Sequence, residues 1–448
     1  MTPLPTTVHF LGAHGASPDG IVAWIAAAGT PAADLQLTVG GRPHPLGDSW
    51  TTFGAGGFAV RAQRITIEGL PPGRDHPLRL IANGELVASA EASTLPAALP
   101  SPPDRPFTIL LGSCFSVLQD AACLVGAAVE RLPAVARPHV TILCGDQVYL
   151  DSPALHFLAC THSRDELAQE HLQRYLTTWS QRSDLGGFQR VLTAADTFFC
   201  SDDHDLWNNA PNAAPYVRDT WTAEGCRAWR EVAIALFELF QAPRQGEIFA
   251  VGALSCFVAD TRLARTADRV SFMTAEQMTE LGQWIRGLDG PGLLVVGQPV
   301  FVGETGWRGQ FFDRGLADYR QYAELVRVVS STPHDLVILT GDVHFGRFAT
   351  CELPSGRRVH EVISSPLALV HRIAAGKWGK AVEAFPAVAV PTVAQAPVST
   401  ASYQRIDEHF LTLGFTGVGA SVHMDVTAWP VRVGSGPWGE PVASTVLH

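Results

Sequence analysis

The sequence predicts an α/β protein preceded by a small all-β sandwich. Three observations predict it: short alternating strands fill the first hundred residues, a proline cluster interrupts the chain, and continuous apolar runs then recur with helices between them. At 448 residues the chain exceeds what one hydrophobic core usually supports, so more than one domain is expected.

The first segment, 1–95, carries alternating runs at Val8 to Leu11, Ile21 to Trp24, Leu35 to Val39, Phe58 to Arg61, Arg64 to Glu68, Leu78 to Ile81 and Glu85 to Ala90, separated by Gly- and Pro-containing turns. That spacing suits a β-sandwich. The turn Ile67-Glu-Gly-Leu-Pro-Pro-Gly-Arg-Asp-His76 resembles the one before the sixth strand of fibronectin type III-like modules. Residues 96–106 hold Pro96, Pro100, Pro102, Pro103 and Pro106, which cannot form a helix or a central strand and predict a stiff linker. Buried strands are expected at Phe107 to Leu111, Val140 to Cys144, Thr197 to Ser201, Cys256 to Ala259, Leu293 to Val296, Leu336 to Thr340 and Val359 to Ile363. Thr274-Ala-Glu-Gln277 reads as a capping box opening a helix from Met278 to Leu288, and Glu224 to Phe240 has an apolar face at helical spacing. The domain 107–448 closes with a Pro/Ala/Val-rich stretch from Pro386 to Thr400, read as an excursion or lid, and strand material near Val422 to Val426.

Hydrophobic residues make up 46% and charged residues 17%, which describes a globular chain. A net charge of −11, with Lys377 and Lys380 the only lysines, argues against a nucleic-acid face. No stretch approaches the roughly 20 apolar residues of a membrane span, so no membrane partner is expected. The N-terminus shows no basic and apolar signal-peptide regions, and the eight cysteines form no CxxC pairs, so reduced thiols and a cytoplasmic location are the expectation.

Four polar clusters each follow a buried strand. They are Gly112-Ser-Cys114, Gly145-Asp146-Gln-Val-Tyr149-Leu-Asp151, Asp202-Asp203-His204-Asp205-Leu-Trp-Asn208-Asn209, and Gly341-Asp342-Val-His344. In open α/β sheets ligands collect beyond the carboxyl ends of strands, so the four loops are expected to converge. Three carboxylates around one imidazole are costly unless cations or solvent balance them. Each cluster alone reads more simply as a turn or a helix cap. Four in strand register point to metal binding, which needs O, N and S donors from separate elements.

These motifs resemble those of the PhoD-like alkaline phosphatases, a branch of the calcineurin-like metallophosphoesterases, over residues 107–363. The resemblance implies a four-layer α/β/β/α metallophosphoesterase sandwich after a fibronectin type III-like domain. It implies dinuclear metal-dependent hydrolysis of small phosphate esters, as phosphomonoesterase or phosphodiesterase, by hydroxide generated at the metals. Cys114, Asp146, Tyr149 and His344 correspond to ligands of a first metal, commonly ferric iron. Asp146 would bridge to a divalent ion (Ca2+, Mn2+ or Zn2+) completed by Asp203 and Asp342. His204 corresponds to a non-ligand histidine facing the phosphoryl group, grouped as catalytic with its neighbour Asp205 and with Arg262, from an Asp260-Thr-Arg motif, which would meet phosphate or pair with Asp260. Asn208 and Asn209 match an Asn pair near the substrate.

The chain departs from the wider pattern at Val296-Gly-Gln298, where a further histidine ligand is usual, and at Leu206-Trp207, where a polar residue is common. Two alternatives follow from the same residues. One is a specialised phosphodiesterase, nuclease or tailoring enzyme on a phosphorylated metabolite; the other is a degenerate scaffold that binds without catalysis.

Overall fold

Runs of apolar residues fold where both of their faces can be covered. The computed structural model describes residues 7–29, 34–182, 186–242, 246–306, 309, 313–368 and 380–448; Lys377 lies outside them. The chain opens with eight strands, β1 (Thr7–Ala16), β2 (Gly20–Gly29), β3 (Leu35–Val39), β4 (Arg42–His44), β5 (Thr51–Ala55), β6 (Phe58–Glu68), β7 (Asp75–Ala82) and β8 (Glu85–Ser93). They form two four-stranded antiparallel sheets, ordered β1-β2-β6-β5 and β4-β3-β7-β8, with Leu11, Ile21, Leu37, Leu78 and Leu80 packed between them. The two runs expected from Phe58 to Glu68 are one strand. Ala62 and Gln63 are buried at its middle, and the Gln63 amide donates to the carbonyls of Gly47 and Ser49 at 2.8 and 3.1 Å, so a polar residue sits inside without a turn.

The rest of the described chain gives β9 (Phe107–Gly112), α1 (Leu124–Glu130), β10 (Val140–Cys144), α2 (Ala154–Ala159), α3 (Arg164–Trp179), α4 (Phe188–Thr193), β11 (Asp196–Cys200) and α5 (Ala223–Phe240). Then follow β12 (Glu247–Val251), β13 (Leu254–Val258), α6 (Ala275–Arg286), β14 (Gly292–Val295), α7 (Tyr322–Ser330), β15 (Leu336–Thr340), β16 (Gly346–Glu352) and β17 (Arg358–Ile363). The chain continues through β18 (Ala384–Phe385), β19 (Ala396–Arg405), β20 (His409–Val418), β21 (Ser421–Pro430) and β22 (Glu440–Leu447). Helix α6 starts at the expected Thr274 cap, whose hydroxyl accepts from the Gln277 amide at 3.1 Å.

Two sheets result, ordered β11-β10-β9-β20-β21-β22 and β12-β13-β14-β15-β17-β16-β19-β18. Strands β9, β10 and β11 run parallel to one another, as do β13, β14, β15 and β17. Strand alternation sorts the side chains into layers. Ile109, Leu111, Ile142, Val295, Val337 and Leu339 meet between the sheets. Leu110, Leu143 and Phe199 face the helices of one flank, with Leu172, Val232 and Leu236. Leu294 and Ile338 face Leu281, Ile285, Leu325 and Val326 of α6 and α7 on the other. The architecture is an α/β/β/α sandwich. The second half of the expected Pro386 to Thr400 excursion is instead strand β19, which pairs with β16.

The small sandwich shares its outer face with one flank. Phe10 and Trp24 pack against Phe240 with ring centroids 6.3 and 5.8 Å away, and the Trp24 indole donates to the Leu239 carbonyl at 2.9 Å.

Candidate metal centre

The parallel strands of both sheets end at one edge, and their loops are stitched together there. The Phe115 amide donates to the Asp146 carbonyl at 2.8 Å, Leu367 to Ser113 at 2.8 Å, and Gly341 to Gly297 at 3.1 Å. Gly341 has to be glycine, because a Cβ there would stand 2.3 Å from the Ser113 hydroxyl and 2.9 Å from the Cys144 carbonyl. This closeness lets the loops after β9, β10 and β15 share one pocket of side chains.

Nine non-glycine residues among those described have positive φ, and five belong to the loops after β9, β10, β11 and β15: Cys114 (57°), Asp146 (60°), Asn209 (66°), Asp342 (66°) and His344 (48°). Such a backbone costs on the order of 1–3 kcal/mol per residue and gathers where a side chain has to be aimed.

The aimed side chains form overlapping groups whose donor atoms lie within 4.8 Å of one another: Cys114 with Asp146 and His344, Asp146 with Asp203 and His204, and Asp202 with Asp203 and Asp342. Cys114 Sγ lies 3.6 Å from Asp146 Oδ2, while the Tyr149 hydroxyl is 3.3 Å from that same oxygen and 3.4 Å from His344 Nε2. Thus the structure brings together all six residues expected as ligands.

Their electrostatics ask for a cation. Burial, reinforced by neighbouring carboxylates, pushes the acid groups of Cys114, Tyr149, Asp146 and Asp342 well above their ordinary pKa values, and that of Asp203 upward. Asp202 is pushed up to about 7 by the same burial, against the pull of Arg262. Without a metal such a cluster holds protons; a bound ion replaces them. The side-chain oxygens Asp202 Oδ2 and Asn209 Oδ1 are buried without a hydrogen-bond partner, which suits oxygen donors around an ion. Asp202 was not among the expected ligands, though it stands in the same Asp-Asp-His-Asp run.

His204 has a different partner from the one its sequence neighbours suggest. Its Nδ1 lies 2.7 Å from Asp151 Oδ1, and its backbone N–H donates to Asp146 Oδ1 at 3.0 Å. Burial disfavours the charged ring, but Asp151, Asp203 and Asp146 together outweigh it and hold the pKa well above the usual histidine value. Asp151 is fixed in turn by the Asn208 amide at 2.8 Å and the Tyr216 hydroxyl at 3.1 Å.

Two expectations are corrected. Asp205, expected as a catalytic residue, is occupied by amide groups. Its carboxylate accepts the backbone amides of Asp146 at 2.8 Å and Asp202 at 3.0 Å, locking two ligand loops together. Arg262 is fully buried, and its guanidinium donates to Asp202, Asp313 and the Ala210 carbonyl, leaving no free donor for phosphate. It pairs with Asp202 and Asp313, while Asp260 accepts only its backbone amide, at 3.0 Å. Arg262 is therefore a buried counter-charge to Asp202 and Asp313 beside the expected ligands. Asn208 donates its backbone N–H to Asp151, and the Asn209 backbone N–H donates to Asp203 Oδ2 at 2.9 Å. Gln298, where a further histidine was noted as missing, donates to Asp342 Oδ2 at 2.9 Å and to Asp313. Leu206 and Trp207 are buried in the core of the helical flank.

No family model and no curated protein matches the chain. Among solved structures, one described as "Structure of PhoD" is similar to it, with a TM-score of 0.66 at 15% sequence identity over 99% of this chain and 91% of that one. The two share a fold over nearly all of this chain.

Proposed function

We propose that this chain hydrolyses small phosphate esters at a dinuclear metal centre. The observation that supports this most is the position of Asp146, which belongs both to the group with Cys114 and His344 and to the group with Asp203 and His204, as a carboxylate shared by two ions would. On this reading Cys114, Asp146, Tyr149 and His344 hold the first metal. Thiolate and phenolate donors favour ferric iron there. Asp146, Asp203 and Asp342 would hold a divalent ion (Ca2+, Mn2+ or Zn2+), with Asp202, grouped with Asp203 and Asp342, as a further carboxylate. When bound, such a pair supplies Lewis acidity and lowers the pKa of water.

The chain's own residues do the rest. Asp151 accepts the Nδ1 proton of His204 and so fixes the ring. The remaining nitrogen, Nε2, can donate to a phosphoryl or leaving-group oxygen as charge builds there. Gln298 and the Asn209 amide hold the carboxylates of Asp342 and Asp203 in place. The net charge of −11 and the scarcity of lysine favour a small ester over a polyanion. The test is elemental analysis of the purified protein, followed by assays on aryl phosphate monoesters and diesters with iron and calcium, manganese or zinc added. Metal-replete protein that hydrolyses none of them defeats the reading.

A further inference from the structure

A second group of side chains of metal-ligating type gathers around the connection between α2 and α3. His156 lies in α2, and Cys160 is the extended residue that caps its end, with Sγ 3.9 Å from the His156 carbonyl. His162 and Glu170 come from the loop and from α3. His156 Nε2 is 2.9 Å from Glu170 Oε2, His162 Nε2 is 4.0 Å from that oxygen, and Cys160 Sγ is 3.6 Å from His162 Nε2. Tetrahedral zinc, with Zn–S near 2.3 Å and Zn–N near 2.05 Å, sets its sulfur and nitrogen ligands about 3.6 Å apart.

A separate observation fixes which nitrogen is available. His162 Nδ1 lies 2.8 Å from Asp219 Oδ2, and Asp219 also accepts the His162 backbone amide at 2.7 Å. That pairing places the ring proton on Nδ1 and leaves Nε2 as a lone-pair donor, the arrangement in which a carboxylate orients a metal-binding histidine. Arg174 engages Glu170 through the other oxygen, Oε1, which leaves Oε2 toward the histidines. Cys160 and His156 are exposed, so an ion reaches the group from solvent.

We propose that His156, Cys160, His162 and Glu170 form a tetrahedral zinc site that clamps the α2–α3 connection onto α3. On binding, the Cys160 thiol gives up its proton to solvent. The His156 ring takes the tautomer protonated on Nδ1, so that its hydrogen bond from Nε2 to Glu170 is replaced by the ion, and the thiolate and the freed Nε2 take zinc coordination positions. Helix α2, which carries His156, starts three residues after Asp151, the partner of His204, so the ion would brace the segment that leaves the candidate metal centre.

The test reads Cys160 itself. The metal-loaded protein is alkylated with iodoacetamide, with and without micromolar zinc, and modification of the Cys160 peptide is timed by mass spectrometry. Zinc should slow alkylation at Cys160 at least tenfold. Magnesium should not, because it avoids thiolate ligands. In His162→Ala, and independently in His156→Ala, the protection should fall at least tenfold while the rate without zinc stays unchanged, which shows that the fold is kept. An alkylation rate indifferent to zinc, or protection that persists in both variants, overturns the proposal.

Discussion

Individual side chains divide the proposed chemistry between holding metals and handling protons, and substitutions separate the two. Asp146 touches both ligand groups, so Asp146→Asn should lower the content of both metals, whereas Asp342→Asn should lower mainly the divalent ion and His344→Ala mainly the iron. Elemental analysis of the three variants checks this, and equal losses in all three would refute the assignment. Cys114→Ala should bleach or shift the visible charge-transfer band that a thiolate gives ferric iron, read by absorption spectroscopy. His204→Ala should retain both metals yet lose on the order of 10²–10⁴ in turnover, the range for a positioned acid–base group. Esters of acidic phenols should lose less, because their leaving groups need little protonation. Metal content and turnover measured on one preparation decide between a proton-handling residue and a ligand. At this scale the sequence was legible where a residue type carries its own chemistry: all six expected ligands meet. It misled where burial rewrote the partner. Arg262 and Asp205 look reactive in a motif, but one is consumed by Asp202 and Asp313 and the other by backbone amides. Asp151 gave no sign of being the partner of His204, because the contact spans 53 positions.

Elements matter through how closely their ends approach. Gly341→Ala would place a methyl group against Ser113 and the Cys144 carbonyl, both on neighbouring strand ends. It should cost about 1–3 kcal/mol, as overpacking does, and lower metal occupancy with it. Urea unfolding with parallel metal analysis reads both effects, and wild-type values for both would contradict the close approach. Strands of the parallel core were legible because burial on both faces leaves continuous apolar runs. Strand β16 was not, because Arg347 at its second position reads as surface. It is fully buried, and its charge is matched by Glu361 on the neighbouring strand. Strand β19 was hidden for another reason: its proline and its small and polar residues suit a strand only lightly covered on one side.

The molecule as a whole is held by a core that crosses the expected boundary between its two parts. Phe10, Trp24 and Val60 of the small sandwich pack in one cluster with Tyr175, Trp179, Phe237 and Phe240. One cooperative unfolding transition is therefore expected, with tryptophan fluorescence and circular dichroism coinciding. His14 sits in this junction, stacked on Trp24 at 4.9 Å and edge-on to Phe199 at 5.0 Å, and burial holds its pKa well below 6.5. The unfolded chain takes up a proton there near pH 6.5 while the folded chain does not. The stability due to neutral His14 is thus present above pH 6.5 and is lost as pH falls below it, at about 1.4 kcal/mol per pH unit. His14→Gln should show a shallower acid loss in unfolding midpoints measured from pH 6.5 to 5. An identical slope would show that His14 is not buried neutral. No helix among the described residues is long and apolar enough to cross a membrane.

The pairing of β9 with β20 governs when the molecule can exist during its own synthesis. Strand β9 ends just before Cys114, and it lies between β10, some thirty positions later, and β20, about three hundred positions later. A ribosome releasing the chain at roughly 5–20 residues per second exposes β9 for tens of seconds before its second neighbour emerges. Until then one edge of the strand that presents Cys114 stays unpaired, and an open edge invites pairing with other chains. On the proposed reading, metal loading would in this sense be a late event in the birth of the protein. A ribosome-stalled chain ending at Arg405 should take up no iron, whereas one extended well past Val418, with both strands clear of the exit tunnel, should take it up.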